Sequence, residues 1–300
     1  MKAIQYDSYG TPDVLHVAEV AEPHPGPGQV RIRVRAAAVN PFDCKVRSGA
    51  MAGGRPLGRP AGIGLEAAGI VDEVGEGVTG THAGDPVFGF TAGPATAEFA
   101  LMRIWAPQPR SMSFVQAAGL SVVSETAWRV LAESEVGPGQ TVLVHGAAGG
   151  VGQATVQLAR ELGARVIGTA SERNHDLLEQ LGATPTAYGD GLVERVAALA
   201  PAGVDVVIDT AGSQLDDLLA IAGSPERVIT IANYGAADRG VRVSRGGSGA
   251  ADALARTAAL AERGRFTLRV ARTFDLDEAA EAHRLSETRS TNGKIVIVLG

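Results

Sequence analysis

Residues 145–152 (HGAAGGVG) have the types and spacing of a phosphate-binding turn. An apolar run with strand character, 141–144, leads into them, and a helical pattern, 151–162, follows. Small residues permit a tight turn and let a pyrophosphate approach backbone amides, while the helix N-terminus supplies partial positive charge. The strand before and the helix after the turn therefore predict a dinucleotide site, although Ala147 replaces the usual first glycine. The predicted phosphate contacts are Gly146, Ala147, Gly149, Gly150, Val151 and Gly152.

The end of the second predicted strand, residues 165–170, indicates which cofactor is bound. In the dinucleotide fingerprint an acidic residue about 20 positions on accepts hydrogen bonds from the ribose 2′-hydroxyl. Here the strand is followed by Ser171, Glu172 and Arg173. A serine and an arginine favour a 2′-phosphate, because a guanidinium donates charge-assisted hydrogen bonds to it. The residues predict NADPH; the alternative is that Glu172 binds an unphosphorylated ribose and Arg173 is solvated.

Composition restricts the class of protein. The 300 residues are 45% hydrophobic and include 39 glycines, which is typical of a globular α/β protein. A net charge of −6 argues against nucleic acid or an anionic membrane as a partner. The single cysteine, Cys44, excludes an intrachain disulfide and a cysteine-rich zinc site. The first residues are polar and no stretch reaches about 18 apolar residues, so we expect a cytoplasmic protein.

The pattern along the chain predicts three segments. Residues 1–114 read as a β-rich domain, in which 30–35 alternate strictly and turn residues separate short strands. Residues 115–246 alternate strand and helix, which predicts a doubly wound parallel sheet. Residues 247–300 read as a return to the first domain, after a boundary of small residues at 246–251. The long loop at 49–64 could form part of a substrate rim.

The predicted elements have approximate bounds. In the parallel sheet the strands lie near 141–146, 165–170, 204–209 and 227–232, with an edge strand at Arg242. The helices between them lie near 151–162, 173–181, 191–200 and 214–222. In the last segment we expect helices at 250–263 and 276–286 and strands at 267–271 and 294–298.

Collinear segments over nearly the whole chain resemble the medium-chain dehydrogenase/reductase superfamily, and within it the zinc-free quinone oxidoreductase branch. Besides the glycine turn, they are AAAVNPFDCKVRSG (36–49), GLEAAGIV (64–71), VGEGV (74–78), GDPVFG (84–89), TAW (126–128) and NGKIV (292–296). The resemblance implies a GroES-like catalytic domain and a Rossmann domain, with the active site in the cleft between them. It also implies a homodimer that forms along the Rossmann edge strand.

Two positions depart from the superfamily's zinc enzymes. The resemblance places Asn40 where those enzymes have a cysteine ligand and Leu65 where they have the histidine of a Gly-His-Glu motif. The four-cysteine lobe is absent, and the six histidines are scattered, so we expect surface or packing histidines and no metal. Without a Lewis acid, alcohol oxidation loses its usual mechanism. Reduction of a quinone or an electron-poor C=C needs less help, because the negative charge is delocalised onto oxygen.

The resemblance places residues 40–45 beside the nicotinamide and makes Asn40, Asp43 and Lys45 the candidate catalytic residues. Asn40 could donate to a carbonyl or orient the nicotinamide ribose. Lys45, where several quinone reductases have a tyrosine, could donate a proton or stabilise an enolate. The alternative is that Asp43 pairs with Lys45 or Arg47 as a brace and water supplies the proton. We expect Cys44 to be a packed thiol, because hydride chemistry needs no covalent step.

Further candidate cofactor contacts lie outside the glycine turn. Asn233 and Tyr234 follow the strand near 227–232, at the edge where cofactor contacts concentrate. This strand is the fifth of the sheet, because a third strand is presumed to end just before Tyr188. The remaining contacts come from the resemblance. Together they are Thr126, Tyr188, Asn233, Tyr234, Asn292 and Lys294. The alternative for Tyr188 is a surface aromatic. The family motif suggests that Glu66 has a structural role, bonding backbone or an arginine.

These observations together predict a zinc-independent oxidoreductase that transfers a hydride from NADPH to a quinone or an α,β-unsaturated carbonyl compound, a small-molecule substrate. One alternative is an enoyl reductase that tailors a secondary metabolite. Another is a non-catalytic NADPH-binding protein.

Overall fold

The structure is a computed structural model that describes residues 1–247 and 249–300. Ser248, inside the predicted boundary at 246–251, lies outside the described residues. The chain divides into two compact units. Unit 1 comprises Met1–Val122 and Ala250–Gly300, and unit 2 comprises Val123–Gly249. In the described residues no helix is long and apolar enough to span a membrane.

The strands, in chain order, are β1 (Lys2–Tyr6), β2 (His16–Glu19), β3 (Val30–Val39), β4 (Ala61–Gly62), β5 (Glu66–Val74), β6 (Pro86–Thr91), β7 (Phe99–Pro107), β8 (Thr141–His145), β9 (Arg165–Thr169), β10 (Thr184–Thr186), β11 (Val206–Asp209), β12 (Val228–Thr230), β13 (Arg242–Val243), β14 (Val270–Asp275) and β15 (Lys294–Val298). The α-helices are α1 (Pro41–Arg47), α2 (Phe114–Ala117), α3 (Leu120–Glu133), α4 (Gly150–Glu161), α5 (His175–Gln180), α6 (Leu192–Leu199), α7 (Leu215–Ala222), α8 (Ala250–Glu262) and α9 (Ala279–Glu287). Short 3-10 helices occupy Pro12–Val14, Glu172–Asn174, Pro225–Arg227, Tyr234–Arg239 and Leu276–Glu278.

Unit 1 is built on two sheets. A three-stranded sheet has the order β2-β1-β4, and a six-stranded sheet has the order β14-β15-β3-β5-β6-β7. Strand β7 also pairs with β3, which closes β3, β5, β6 and β7 into a ring. Along β3 the predicted alternation is confirmed, since Val30, Ile32 and Val34 are buried in the core and Arg33 is exposed. The alternation of apolar and charged residues with a period of two therefore determines which face of β3 packs into the core.

Unit 2 contains a six-stranded parallel sheet in the order β10-β9-β8-β11-β12-β13. Numbered within the unit, this order is 3-2-1-4-5-6, the arrangement of a doubly wound sheet. The order reverses between β8 and β11, so the carboxyl end of β8 lies at the topological switch point, where ligands bind in such sheets. The predicted doubly wound sheet is confirmed, and β13 is its edge strand.

Two of the differences between the predicted and the observed organisation have a physical explanation. The strand predicted at 267–271 is wrong at its start, since β14 begins at Val270, where it pairs in parallel with β15. Phe266 and Leu268 are buried apolar residues outside any strand. Their alternation with polar residues, which resembles a strand, reflects burial and not strand pairing. The second unit was expected to begin at 115 and begins at Val123. Residues of α2 already have a helical pattern, but α2 packs against β3 and β5 of unit 1.

Candidate functional site

In unit 2 the turn after β8 requires small residues. Gly146 has a φ of +79°, a conformation that favours glycine, and a Cβ on it would lie 2.8 Å from Oγ1 of Thr210. At Gly152 a Cβ would lie 2.3 Å from the carbonyl oxygen of Gly146 and 2.7 Å from Cα of Ala147. The first turn of α4 thus packs directly on the backbone of the loop. Gly152 therefore has a packing role, and its predicted contact with the cofactor stays a prediction.

The amino terminus of α4 has the properties of an anion site. Its N-cap, Gly149, has no side chain to cap the helix, and its first turn carries no acidic residue. The N–H groups of Gly150, Val151 and Gly152 have no intrahelical acceptor, because the helical bonds begin with Gln153 donating to Gly149. A pyrophosphate fits such a terminus, since it accepts from these amides and lies at the positive end of the helix.

A buried histidine, the last residue of β8, makes hydrogen bonds next to the glycine turn. His145 is 2% exposed; its Nδ1 lies 2.8 Å from Oγ1 of Thr169, and its Nε2 lies 3.1 Å from Oγ of Ser213. The Thr169 hydroxyl also accepts from the Gly146 N–H at 3.1 Å. Burial lowers the pKa of His145 below its usual value, so the imidazole is neutral at pH 7. His145 is therefore a packed residue that orients the turn.

Further polar residues organise the same edge of the sheet, and sequence reasoning missed them. Asp209, at the end of β11, accepts the N–H groups of Ala211 and Gly212 at 3.0 and 2.8 Å. Its other oxygen accepts from the Thr230 hydroxyl at 2.7 Å. The Thr210 hydroxyl donates to the carbonyl of His145 at 2.8 Å. The signal was present, since a carboxylate directly after an apolar run such as VVI (206–208) marks a strand end.

The end of β9 presents the residues predicted at the ribose. Ser171 precedes a 3-10 turn, and its Oγ accepts from Nδ2 of Asn174 at 3.0 Å. Glu172 and Arg173 are both exposed. Within residues 1–247 and 249–300, Arg173 has no hydrogen bond or ion pair, so its guanidinium is available to a ligand.

The other predicted contacts of unit 2 lie as follows. Tyr188 follows β10 and is 55% exposed. Asn233 and Tyr234 follow β12; the Asn233 N–H donates to Oγ1 of Thr230, and the Tyr234 ring lies 5.7 Å from the Arg245 guanidinium. Thr126 is buried on α3. The residues after β10 and β12 thus lie at the carboxyl ends of the parallel strands, the same edge of the sheet at which the glycine turn lies.

In unit 1, three neighbouring strands bring a polar cluster together. Strand β15 pairs with β3 with Ile295 opposite Val39, and β3 pairs with β5 with Ala37 opposite Ala67. Asn40, Glu66 and Lys294 therefore lie at the same end of the sheet, although more than 200 residues separate Lys294 from the other two. The Lys294 ammonium donates to Oδ1 of Asn40 at 2.6 Å and to Oε1 of Glu66 at 2.8 Å. Nδ2 of Asn40 donates to the same Glu66 oxygen at 3.0 Å.

Glu66 also binds the backbone of α3. It is fully buried, and its Oε2 accepts the N–H of Val122, in the first turn of that helix, at 2.8 Å. The expected backbone bond is thus present. This bond meets the expectation of a backbone group or an arginine, and the cation beside Glu66 is Lys294 rather than an arginine. Asn292, two residues before Lys294, is half-buried in the turn that precedes β15.

The first turn of α1 is held by Asp43. Its Oδ2 accepts the backbone N–H of Asn40 at 2.7 Å, which satisfies a donor at the helix start. Burial, with a smaller contribution from Glu66, raises the pKa of Asp43 to about 7. Of the alternative in which Asp43 pairs with Lys45 or Arg47, the Arg47 pair is not observed among the described residues, where Arg47 pairs with Glu287 of α9. Lys45 is half-buried on the same helix.

Cys44 is a packed thiol, as predicted. It is 6% exposed, and its Sγ lies 3.6 Å from Nδ1 of His283 on α9. Burial raises the pKa of the Cys44 thiol to about 11 and lowers the pKa of His283 to about 4. Both groups are neutral at pH 7, so the pair lacks the thiolate that a nucleophile needs.

Comparisons with known proteins identify the family. Residues 26–105 match the alcohol dehydrogenase GroES-like domain, and residues 181–297 match the zinc-binding dehydrogenase family. Quinone oxidoreductase of Rattus norvegicus is 36% identical over 241 residues, which cover 77% of this chain and 73% of that protein. The chain belongs to the medium-chain dehydrogenase/reductase superfamily, in its quinone oxidoreductase branch.

Solved structures of the superfamily match this fold over its whole length. An NAD-dependent alcohol dehydrogenase has a TM-score of 0.88 at 29% identity, covering 100% of both chains. The quinone oxidoreductase of Escherichia coli in complex with NADPH has a TM-score of 0.85 at 27% identity, also covering 100% of both. The medium-chain dehydrogenase/reductase architecture predicted from the sequence, a GroES-like domain with a Rossmann-like parallel sheet, is therefore confirmed.

The superfamily includes zinc enzymes, but the donor set around Asn40 does not fit zinc. Oδ1 of Asn40 accepts from the Lys294 ammonium, a positive charge that would repel a divalent cation bound to the same oxygen. Leu65, at the other predicted ligand position, is apolar. In the part of the chain that the structure describes, no group of three His, Cys, Asp or Glu residues could hold a metal ion.

Proposed function

We propose that this protein is a zinc-independent oxidoreductase that transfers a hydride from NADPH to a quinone or an α,β-unsaturated carbonyl compound. The observation that carries the proposal is the buried ammonium of Lys294 on Oδ1 of Asn40. At the position where the resemblance places a zinc ligand, this chain has an amide that already binds a cation. An acceptor that delocalises negative charge by conjugation does not need the missing Lewis acid.

We propose that unit 2 binds NADPH through two sets of groups. The amides of Gly150, Val151 and Gly152 would receive the pyrophosphate. Ser171 and Arg173 would bind the 2′-phosphate. The Arg173 guanidinium, exposed and without a partner among the described residues, supports a choice of NADPH over NADH. When bound, NADPH would supply the hydride. Tyr188, Asn233 and Tyr234 are the further proposed contacts along the carboxyl edge, with Thr126 on α3.

We propose that α1 of unit 1 assists the acceptor. Hydride arrival leaves negative charge on the oxygen of an enolate or quinol anion, and a donor placed there stabilises that charge more in the transition state than in the neutral substrate. The Asn40 amide is one such donor, and the half-buried Lys45 ammonium is the proposed proton source. Asp43 would serve this site by holding the first turn of α1 rather than by touching the substrate.

The decisive experiment is a turnover assay on the purified protein. NADPH consumption is followed through its nicotinamide absorbance with a panel of quinones, enones and enoyl thioesters, and NADH is run in parallel. We expect NADPH-dependent reduction of at least one quinone or enone. Turnover of enoyl thioesters alone would favour a biosynthetic enoyl reductase. Tight NADPH binding without turnover would favour a non-catalytic NADPH-binding protein.

The oligomeric state is a separate proposal. Strand β13 is the edge of the parallel sheet in unit 2, and among the described residues no strand pairs with its outer side. We propose a homodimer that forms along this edge. Light scattering of the purified protein should give the mass of two chains. If β13 pairs with β13 of a second copy, Val243→Pro should reduce the measured mass to that of one chain.

A further inference from the structure

We propose that Glu66 and Lys294 are positioning residues that fix the orientation of the Asn40 side-chain amide. Lys294 would thus act through Asn40, and not on the cofactor as its sequence motif suggests. The role of the Asn40 amide in the reaction rests on the proposed function. The orientation of the amide, which the ion pair restricts to one, involves residues of unit 1 alone.

The hydrogen-bonding capacity of the amide carries the argument. An asparagine side chain has one acceptor oxygen and two N–H donors. In Asn40 the oxygen accepts from Lys294, and one N–H donates to Glu66. Rotating the amide by half a turn would point its NH₂ group at the ammonium and its oxygen at the carboxylate. Both contacts would be repulsive, so the ion pair permits one orientation.

Burial makes this preference strong. The exposed fraction is 3% for Asn40, 5% for Lys294 and zero for Glu66, so water does not screen the two repulsive contacts. Glu66 is itself held, because its second oxygen accepts from Val122. The Lys294 stem is held by packing against Gly119, the residue before α3. The amide therefore rests on a rigid support, as a group that stabilises charge must.

In this orientation one N–H of Asn40 has no partner among the described residues and can donate to a ligand. Asn40 would therefore serve as a donor to oxygen on the acceptor and not as a hydrogen-bond acceptor. A misplacement of about 1 Å in such a donor can cost roughly 10²-fold in rate. Small displacements of Lys294 should accordingly lower turnover without weakening NADPH binding.

The first test moves Lys294 without changing any polar group. In Gly119→Ala the new Cβ would lie 2.9 Å from Cγ and 3.0 Å from Cε of Lys294, so the lysine stem must shift. Gly93→Ala is the matched control in unit 1, because a Cβ there meets nothing within 4 Å. Lys294→Met removes the ammonium. Since it leaves Glu66 buried without its cation and can prevent folding, the conclusion depends on Gly119→Ala.

Two readouts are measured on the full-length protein. In ¹H–¹⁵N spectra the Asn40 side-chain amide pair is assigned by its absence from Asn40→Ser. We expect it to exchange slowly with solvent in the wild type and in Gly93→Ala, and to shift or exchange faster in Gly119→Ala. An unchanged amide pair in Gly119→Ala would overturn the proposal, whether or not the protein has any activity.

The second readout is kinetic, with the best acceptor from the panel. We expect Gly119→Ala to lower kcat about tenfold or more, with the Kd for NADPH within about twofold of the wild type and that of Gly93→Ala. A weaker Kd with unchanged kcat would make Lys294 a cofactor ligand. If Gly119→Ala lowers Tm but leaves kcat and the Kd for NADPH unchanged at temperatures below unfolding, then Asn40, Glu66 and Lys294 only stabilise the fold. If the wild type turns over no acceptor, the proposed function fails, and the amide spectra still decide the positioning role.

Discussion

Gly149 and Gly152 are near neighbours in the turn before α4, yet the structure predicts opposite consequences when each is replaced by alanine. At Gly152 the added Cβ would lie 2.3 Å from a carbonyl oxygen, a backbone atom that no rotamer change can move. At Gly149 the nearest atom would be 3.4 Å away, which is an ordinary contact, and the φ of −72° suits alanine. The pair separates a packing role from a ligand role.

The magnitudes follow from these distances. Relieving the contact at Gly152 requires the loop and α4 to separate by roughly 1 Å, and such overpacking costs about 1 to 3 kcal/mol. For a domain of this size that corresponds to a fall in Tm of roughly 3 to 12 °C. Gly149→Ala should change stability by less than about 1 kcal/mol, since it loses a favourable N-cap glycine but also restricts the unfolded chain. Its methyl group would stand beside the amides proposed to bind the pyrophosphate, so NADPH binding should weaken by about tenfold or more.

Thermal unfolding with and without NADPH, together with calorimetric titration, measures both quantities. Gly137→Ala is the control in unit 2, because a Cβ there meets nothing within 4 Å. Wild-type stability in Gly152→Ala would show that the Cβ argument is wrong. Wild-type NADPH affinity in Gly149→Ala would show that the amino terminus of α4 does not bind the pyrophosphate.

Arg173→Ala should weaken NADPH binding roughly tenfold or more and change NADH binding little, because only NADPH offers the 2′-phosphate to the exposed guanidinium; equal weakening of both would refute the assignment. Lys45→Met should lower turnover by roughly 10²-fold with NADPH affinity almost unchanged, and turnover within about threefold of the wild type would make water the proton source. Elemental analysis should find no stoichiometric zinc, and a chelator should leave turnover intact. The pKa of His283 is lowered from 6.5 to about 4 by burial, so the unfolded chain binds its proton first and this residue's contribution to stability is lost as the pH falls from 6.5 toward 4. Denaturant unfolding at several pH values should therefore show that His283→Gln loses less free energy of unfolding than the wild type over that range. An equal loss in both proteins would contradict the lowered pKa of His283.

Features that depend on neighbours along the chain could be predicted from the sequence. The glycine turn was predicted with α4 displaced by one residue, since a strand, a run of small residues and an amphipathic helix follow one another directly. Helix α8 and strand β15 were also predicted to within one residue, because α8 has a clear helical period and β15 is a short apolar run after a glycine. Strand β14 was displaced because its bounds depend on pairing with β15, which no local pattern records.

Contacts between distant segments could not be predicted in the same way. His283 lies 239 residues after Cys44, and only the packing of α1 against α9 brings the imidazole to the thiol. The sequence shows two isolated residues with unremarkable neighbours. Their mutual burial, and the pKa shifts that burial causes, follow from tertiary structure alone.

Lys294 shows how a sequence motif and a hydrogen-bond network can assign different roles to one residue. The NGKIV motif (292–296) associates it with the cofactor, whereas the register of β15, β3 and β5 places its ammonium between Asn40 and Glu66. The same ammonium accounts for two properties of the site. It occupies the amide oxygen that a metal would need, and it fixes which end of the amide can face a ligand. The poor fit of the Asn40 oxygen to a metal and the orientation proposed for its amide thus depend on the same buried charge pair, which is why Asn40 has to be interpreted together with Lys294.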